Sequence, residues 1–288
     1  MTLGEKIKEL RKERGFTQEK LAEALAVSRQ AVTKWETDGG TPDIENITAI
    51  AKLFNVSADY LLSDESGEHS KQDYLFDSVN NYDIDNPKHF DMHLGGAKRL
   101  VVTSCNEEKI KLRLASNTIS GVAGDFKLKI DDNCSSIDLD ISRKNGVSES
   151  KAKEELDIFL YLPKELVLSF EIAANADTVE LRDLKCDNIE LDVKADKLIM
   201  NNVQSKVELD CNLDMTIVCE TLEQSLDINQ LSACSKLYLP DSTVFSVNAA
   251  GKTNTVSFEN GDDFSAQNAE KVIELNGKKS ELTVCKLK

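Results

Sequence analysis

Over the first sixty residues, apolar side chains recur at helical spacing between short polar breaks. Leu3, Ile7 and Leu10 lie three or four apart among charged residues, and Gly15 stops the run. Thr17 is placed to cap a second helix bearing Leu21, Ala22 and Leu25, and Ser28 to cap a third that reaches about Thr37. The break TDGGTPD precedes a fourth helix with Ile44, Ile47, Ile50, Ala51 and Phe54. A fifth starts at the Ser57 cap and contains Leu61 and Leu62. From about residue 99 the period drops to two. KRLVVTS, KIKLRLAS, DFKLKID, SIDLDIS, LDIFLYL and LVLSFEIA all alternate as strands do. Strand centres then fall near 180, 190, 199, 208, 217, 227 and 237, a return every nine or ten residues.

The pattern therefore predicts an α head over 1–63, a polar linker over 64–95 with one helical turn near Tyr74–Val79, and an all-β body over 96–288. Even strand spacing allows a β-solenoid or a meandering β-sandwich. No Gly occurs between 147 and 250, and the links are short runs of Asp, Asn and Lys. Tight hairpins prefer Asn-Gly or Asp-Gly, so the solenoid is favoured.

Only Ala26 and Val27 follow Leu25 before Ser28, a turn short enough for a helix-turn-helix. On the third helix Val32 faces inward with Trp35 at its edge. Arg29, Gln30, Thr33 and Lys34 take the opposite face as i,i+4 neighbours, without a carboxylate among them. Arg pairs bidentately with guanine and Gln with adenine, while Lys and Thr reach bases or phosphates. Gln18, at the start of the second helix, points to where a phosphate backbone would pass.

Charge sharpens this division. The formal net charge is −16, yet residues 1–63 hold 9 Lys+Arg against 10 Asp+Glu, leaving 26 against 41 for the rest. Polyanion contact thus belongs to the near-neutral head, with the acidic body kept clear. All seven Cys lie beyond residue 100, an odd number without a CxxC pair, which predicts reduced thiols. Cys211 and Cys219 follow apolar parity and read as buried small hydrophobes. The charged N-terminus has no signal-peptide h-region, and no apolar run is long enough to span a membrane, so a cytoplasmic protein is expected.

Nothing in the pattern predicts an enzyme. No His follows His93, and no Gly-rich loop precedes a helix. His89 and His93 flank Asp91, but Pro87 and Gly95-Gly96 argue against a helix that would present them to a metal. No cofactor or metal is expected.

The stretch TQEKLAEALAVSRQAVTKWETDGGTPDIENITAIAKLFNVSADYLL resembles the phage-repressor (XRE) family of helix-turn-helix proteins, matched from Gly4 to Leu62. The resemblance implies a five-helix lambda-repressor-like domain. It places Thr17, Gln18, Ser28, Arg29, Gln30, Thr33 and Lys34 at DNA-contacting positions, and makes Arg11 and Glu36 a structural ion pair. Asp38 and Asp43 depart from it, putting carboxylates where the loop would meet phosphate. The region of about 95–285 is similar to an adhesin-like β-solenoid domain found in bacterial chains. Together these imply a transcriptional regulator, most simply a repressor, that reads a palindromic double-stranded operator as a homodimer. The body would dimerise, take a signal from an effector or protein partner, or do both. The alternative is a protein-interaction scaffold or antitoxin-like protein whose head tethers it to DNA.

Overall fold

Helices α1 (Leu3–Glu13), α2 (Gln18–Ala24), α3 (Arg29–Glu36) and α4 (Ile44–Phe54) follow the apolar periodicity of the head. The computed structural model describes residues 3–37, 39–54, 56, 61 and 74–287. The chain divides into two units, Met1–Asp73 and Tyr74–Lys288.

Side-chain oxygens of Thr17, Ser28 and Asp43 accept from the backbone N–H three residues on, at 3.1, 3.1 and 2.8 Å. These bonds satisfy donors that the first turn of a helix cannot. All four helices also end alike. The N–H groups of Phe16, Val27, Gly39 and Val56 reach back to the carbonyls of Arg11, Ala22, Lys34 and Ala51. After α1 and α2 this closure places a left-handed residue one position earlier. Gly15 supplies it after α1 at φ 66°, but after α2 it falls to Ala26 at φ 54°. Alanine carries a Cβ clash there that glycine lacks. Ala26→Gly is expected to stabilise the head by about 0.5–1 kcal/mol, read as a higher denaturant midpoint of the helical signal.

Ile7, Leu21, Val32 and Ile50 are fully buried in the head core, and Trp35 is 7% exposed. Burying one such side chain stabilises by roughly 1.5–3 kcal/mol. Two departures from the pattern appear. Ile44 points outward, 71% exposed, whereas Lys6 is fully buried. Leu61 is helical and buried, while Ser57 and Leu62 of the expected fifth helix, like Asp38, lie outside the described residues.

In the body, the linker reading gives way over 76–95, while 64–73 lie outside the described residues. Residues 76–83 form strand β1 (Phe76–Asp83), where a helical turn was expected, and β2 (Lys88–Cys105) begins well before residue 96. Phe90, Met92 and Leu94 are buried on alternate positions. His89, Asp91 and His93 between them mask that stripe in a composition-based reading. Next come β3 (Lys109–Ser116), helix α5 (Val122–Asp125), β4 (Phe126–Asp132), β5 (Ser136–Arg143), helix α6 (Glu149–Glu155) and β6 (Asp157–Pro163). Here the pairing is partly antiparallel, β1 with β3, β3 with β6 and β4 with β5.

Beyond these, pairing is parallel. Strands β7 (Val167–Leu184) and β8 (Asn188–Val203) are each continuous where the pattern suggests two strands. Then follow β9 (Lys206–Asp210), β10 (Thr216–Cys219), β11 (Leu226–Leu231) and β12 (Cys234–Leu239). Asn188 aligns with Lys206, Leu226 with Val207, and Thr216 with both Lys197 and Lys236. Counting β7 and β8 as two segments each, every segment thus pairs with the next but one, and successive segments stack as two ladders offset by about 19 residues. A meander would pair neighbours antiparallel instead. Inward parity closes a continuous core that includes Ile189, Leu209, Ile217 and Ile228.

Both ends of the stack are reordered. β2 lies between β5 or β6 and β7. At the far end, β15 (Val272–Lys278) and β16 (Glu281–Lys286) insert between β11 or β12 and the outer strands β13 (Ser246–Ala249) and β14 (Thr255–Phe258). The insertion brings backbones close. A Cβ on Gly277 (φ 104°) would lie 1.8 Å from the Gln230 carbonyl oxygen, so only glycine fits.

Candidate nucleic-acid interface

Helix α3 has two unlike faces. Val32, Trp35 and Glu36 are buried, whereas Arg29, Gln30, Thr33 and Lys34 stand exposed, as does the cap Ser28. The exposed set needs no distortion to meet a partner, because the buried set fixes the helix beneath it.

The brace beneath is polar. Arg11 donates to both Glu36 carboxylate oxygens, at 2.5 and 3.0 Å, and to the Phe16 carbonyl at 2.8 Å. Gln18 Nε2 donates to Glu36 Oε2 at 2.9 Å. Burial pushes the Glu36 carboxyl up, but the hydrogen bonds from Arg11 and Gln18 outweigh it and hold the group below its ordinary value. The same bond to Glu36 raises the Arg11 guanidinium. One four-residue network therefore ties α1 and α2 to α3, since the Thr33 hydroxyl also lies 3.3 Å from Gln18 Oε1. That hydroxyl is 3.0 Å from the Arg29 carbonyl as well, and its one proton serves one acceptor at a time.

Thr17 faces solvent, with its hydroxyl engaged as the α2 cap. Gln18 is only half exposed, its amide spent on Glu36. The α3 face itself holds no carboxylate, yet Glu19 of α2 reaches it and pairs with Arg29 Nη1 at 2.9 Å, both side chains well exposed. Helix spacing within α3 cannot reveal that contact, because it comes from a neighbouring helix.

The body presents a different surface. In register across seven parallel strands stand Asp138, Asp91, Glu171, Glu190, Glu208, Asp227 and Glu274. Neighbouring strands lie about 4.8 Å apart, so like charges stack. Burial, then Asp91 and Glu190, raise the Glu171 carboxyl above its ordinary value. Such a face repels a polyanion.

His89 and His93 belong to the body after all. His89 Nδ1 lies 2.6 Å from Ser169 Oγ, beside a cavity of about 160 Å³ shared with Asp91 and Glu171. Sequence reasoning missed this pair because it set His89 in the linker. Ser169 sits within a ladder flanked on both sides, by His89 and by Asn188. His93 lies 3.6 Å from Asp91 and 3.5 Å from Asp140, and among the described residues no group of three His, Cys, Asp or Glu is arranged to hold a metal. Cys211 and Cys219 are buried, and burial raises the Cys219 thiol; all seven cysteines are free. No helix among the described residues is long and apolar enough to cross a membrane.

Residues 7–61 match the family model described as Helix-turn-helix. The HTH-type transcriptional activator BcrR of Enterococcus faecalis is 48% identical over 65 residues, which is 23% of this chain and 32% of that protein. The HTH-type transcriptional regulator ImmR of Bacillus subtilis (strain 168) is 36% identical over 81 residues, 28% of this chain and 64% of the relative. The chain thus spans between about a third and two thirds of these relatives. The body is similar to the crystal structure of a protein named for cell adhesion from Clostridium sporogenes. That likeness has 14% identity and a TM-score of 0.37, covering 74% of this chain and 99% of the other. The N-terminal unit is a helix-turn-helix domain of the XRE type.

Proposed function

We propose that a chain with this head is a sequence-specific, DNA-binding transcriptional regulator that lays α3 in the major groove. One observation carries the reading: four exposed, carboxylate-free side chains (Arg29, Gln30, Thr33 and Lys34) stand over a part-buried Arg11–Glu36–Gln18 brace. In this reading Arg29 and Gln30 read base edges, Thr33 and Lys34 reach bases or phosphates, and Thr17, Gln18 and Ser28 meet the backbone. The head is not basic, so one copy binds weakly, and two copies on a palindrome supply the affinity. Half-sites then lie about 34 Å apart, one helical turn. Repression by promoter occlusion is the assigned outcome.

We read the body as a β-solenoid whose sheet stays open, with dimerisation or signal input as its role. The parallel, next-but-one pairing supports that reading over a sandwich. The test is selection of random duplexes by the full chain, followed by footprinting and a transcription assay on the selected site. A palindromic footprint with lowered transcription is the expected result. Binding without sequence preference would overturn the reading.

Glu19 supplies a finer check. Its carboxylate neutralises Arg29 and must be displaced when a phosphate or guanine arrives. Glu19→Gln is expected to tighten binding by up to about 1 kcal/mol per head, since exposed pairs are worth no more, and to raise the on-rate at low salt.

A further inference from the structure

We propose that the edge of β1, free among the described residues, is a self-pairing interface, where two copies of the body join β1 to β1 antiparallel across a two-fold axis at Val79. The proposal deepens the reading of the protein as a dimeric regulator and rests on it.

Among the described residues, the sheet ends in four edge strands: β1, β4, β13 and β14. β13 and β14 have four residues each, and β4 carries Lys127 and Lys129. Short length and lysine are what blunt an edge against pairing. β1 has neither device. It runs eight residues as FDSVNNYD, without Lys, Arg or Pro.

The direction of its free backbone groups follows from the β3 ladder. Just past the strand, Ile84 N–H donates to the Glu108 carbonyl at 2.9 Å. In an antiparallel pair, alternate residues bond to the same neighbour. Phe76, Ser78, Asn80 and Tyr82 therefore face β3, and the N–H and C=O groups of Asp77, Val79 and Asn81 face the open edge. The side chains of those three are exposed; Val79 is 47% exposed, and Leu75, four residues earlier, is 73% exposed.

Self-complementarity selects the register. With Val79 opposite itself, Asp77 meets Asn81 of the second copy and Phe76 meets its Tyr82. Aromatic and amide pairs of this kind stabilise a sheet. A slide of two residues one way sets Asp77 against Asp83, a like-charge pair; a slide the other way parts both aromatic pairs. Arg113 further offsets the Asp77 charge, at 3.0 Å.

The experiment is sedimentation equilibrium of the full chain without DNA, for the parent, Val79→Lys and Val79→Cys. A parent of twice 31.9 kDa is expected. Val79→Lys puts two lysines on the axis and should weaken the dimer at least tenfold, with unchanged circular dichroism. Val79→Cys should cross-link under mild oxidation, since directly opposed Cα atoms of a bonded pair lie about 5.5 Å apart; Tyr82→Cys should not. A monomeric parent would overturn the interface, including one whose own residues 62–73 cover the edge. So would a Val79→Lys variant that dimerises like the parent. Because DNA is absent, none of these outcomes depends on whether the head reads a sequence.

Discussion

Replacing both Arg29 and Lys34 by alanine is expected to abolish specific operator binding while leaving the fold intact. Each base or phosphate contact of this kind is worth roughly 1–3 kcal/mol. Two lost contacts per head, in two heads, take affinity down at least a hundredfold. Stability should hardly move. Both side chains are exposed, alanine is a good helix former, and among the described residues the ion pair lost is the exposed one with Glu19. Gel shifts with the selected duplex measure the loss, and helical melting of the same samples shows that α3 persists. Parent-like binding by the double variant would mean that another surface meets DNA.

The second large effect is the reverse, a loss of fold that takes binding with it. Glu36→Ala strands the Arg11 guanidinium and the Gln18 amide in a site where the Glu36 side chain is 1% exposed. Removing one partner of a buried pair costs about 3–5 kcal/mol. A domain of about sixty residues has little more than that in hand, so the head should lose most of its helical signal. The body's strand signal should survive. The same pair sets an acid limit. Glu36 is held below its ordinary value, so its contribution is present above the unfolded value of about 4.3 and lost as pH falls through the folded one. Helical signal should therefore drop below about pH 4, and Glu36→Gln should flatten that limb from a lower starting stability. An unchanged acid limb in the variant would assign the transition to other carboxylates.

Much of the head was legible because its information is local. Caps at Thr17 and Ser28, apolar residues three and four apart, and the short turn at Ala26 and Val27 are all short-range signals. The same holds for the nine-to-ten-residue return in the body, which is the step from one ladder to the other. Inward parity placed Cys211 and Cys219 correctly for the same reason.

What stayed hidden was set by partners far apart in sequence. Glu19 reaches Arg29 from another helix, and Gln18 spends its amide on Glu36. His89 meets Ser169 only because β2 is inserted beside β7. Periodicity reports which side of an element is apolar, not which element covers it. Thus the amino-acid sequence by itself determined two regions of different period, the capped helices and an acidic alternating body. The tertiary structure alone decided the strand order, the close approach at Gly277 and the edge at β1 that is open among the described residues, since backbone pairing depends on neighbours that the chain supplies from a distance.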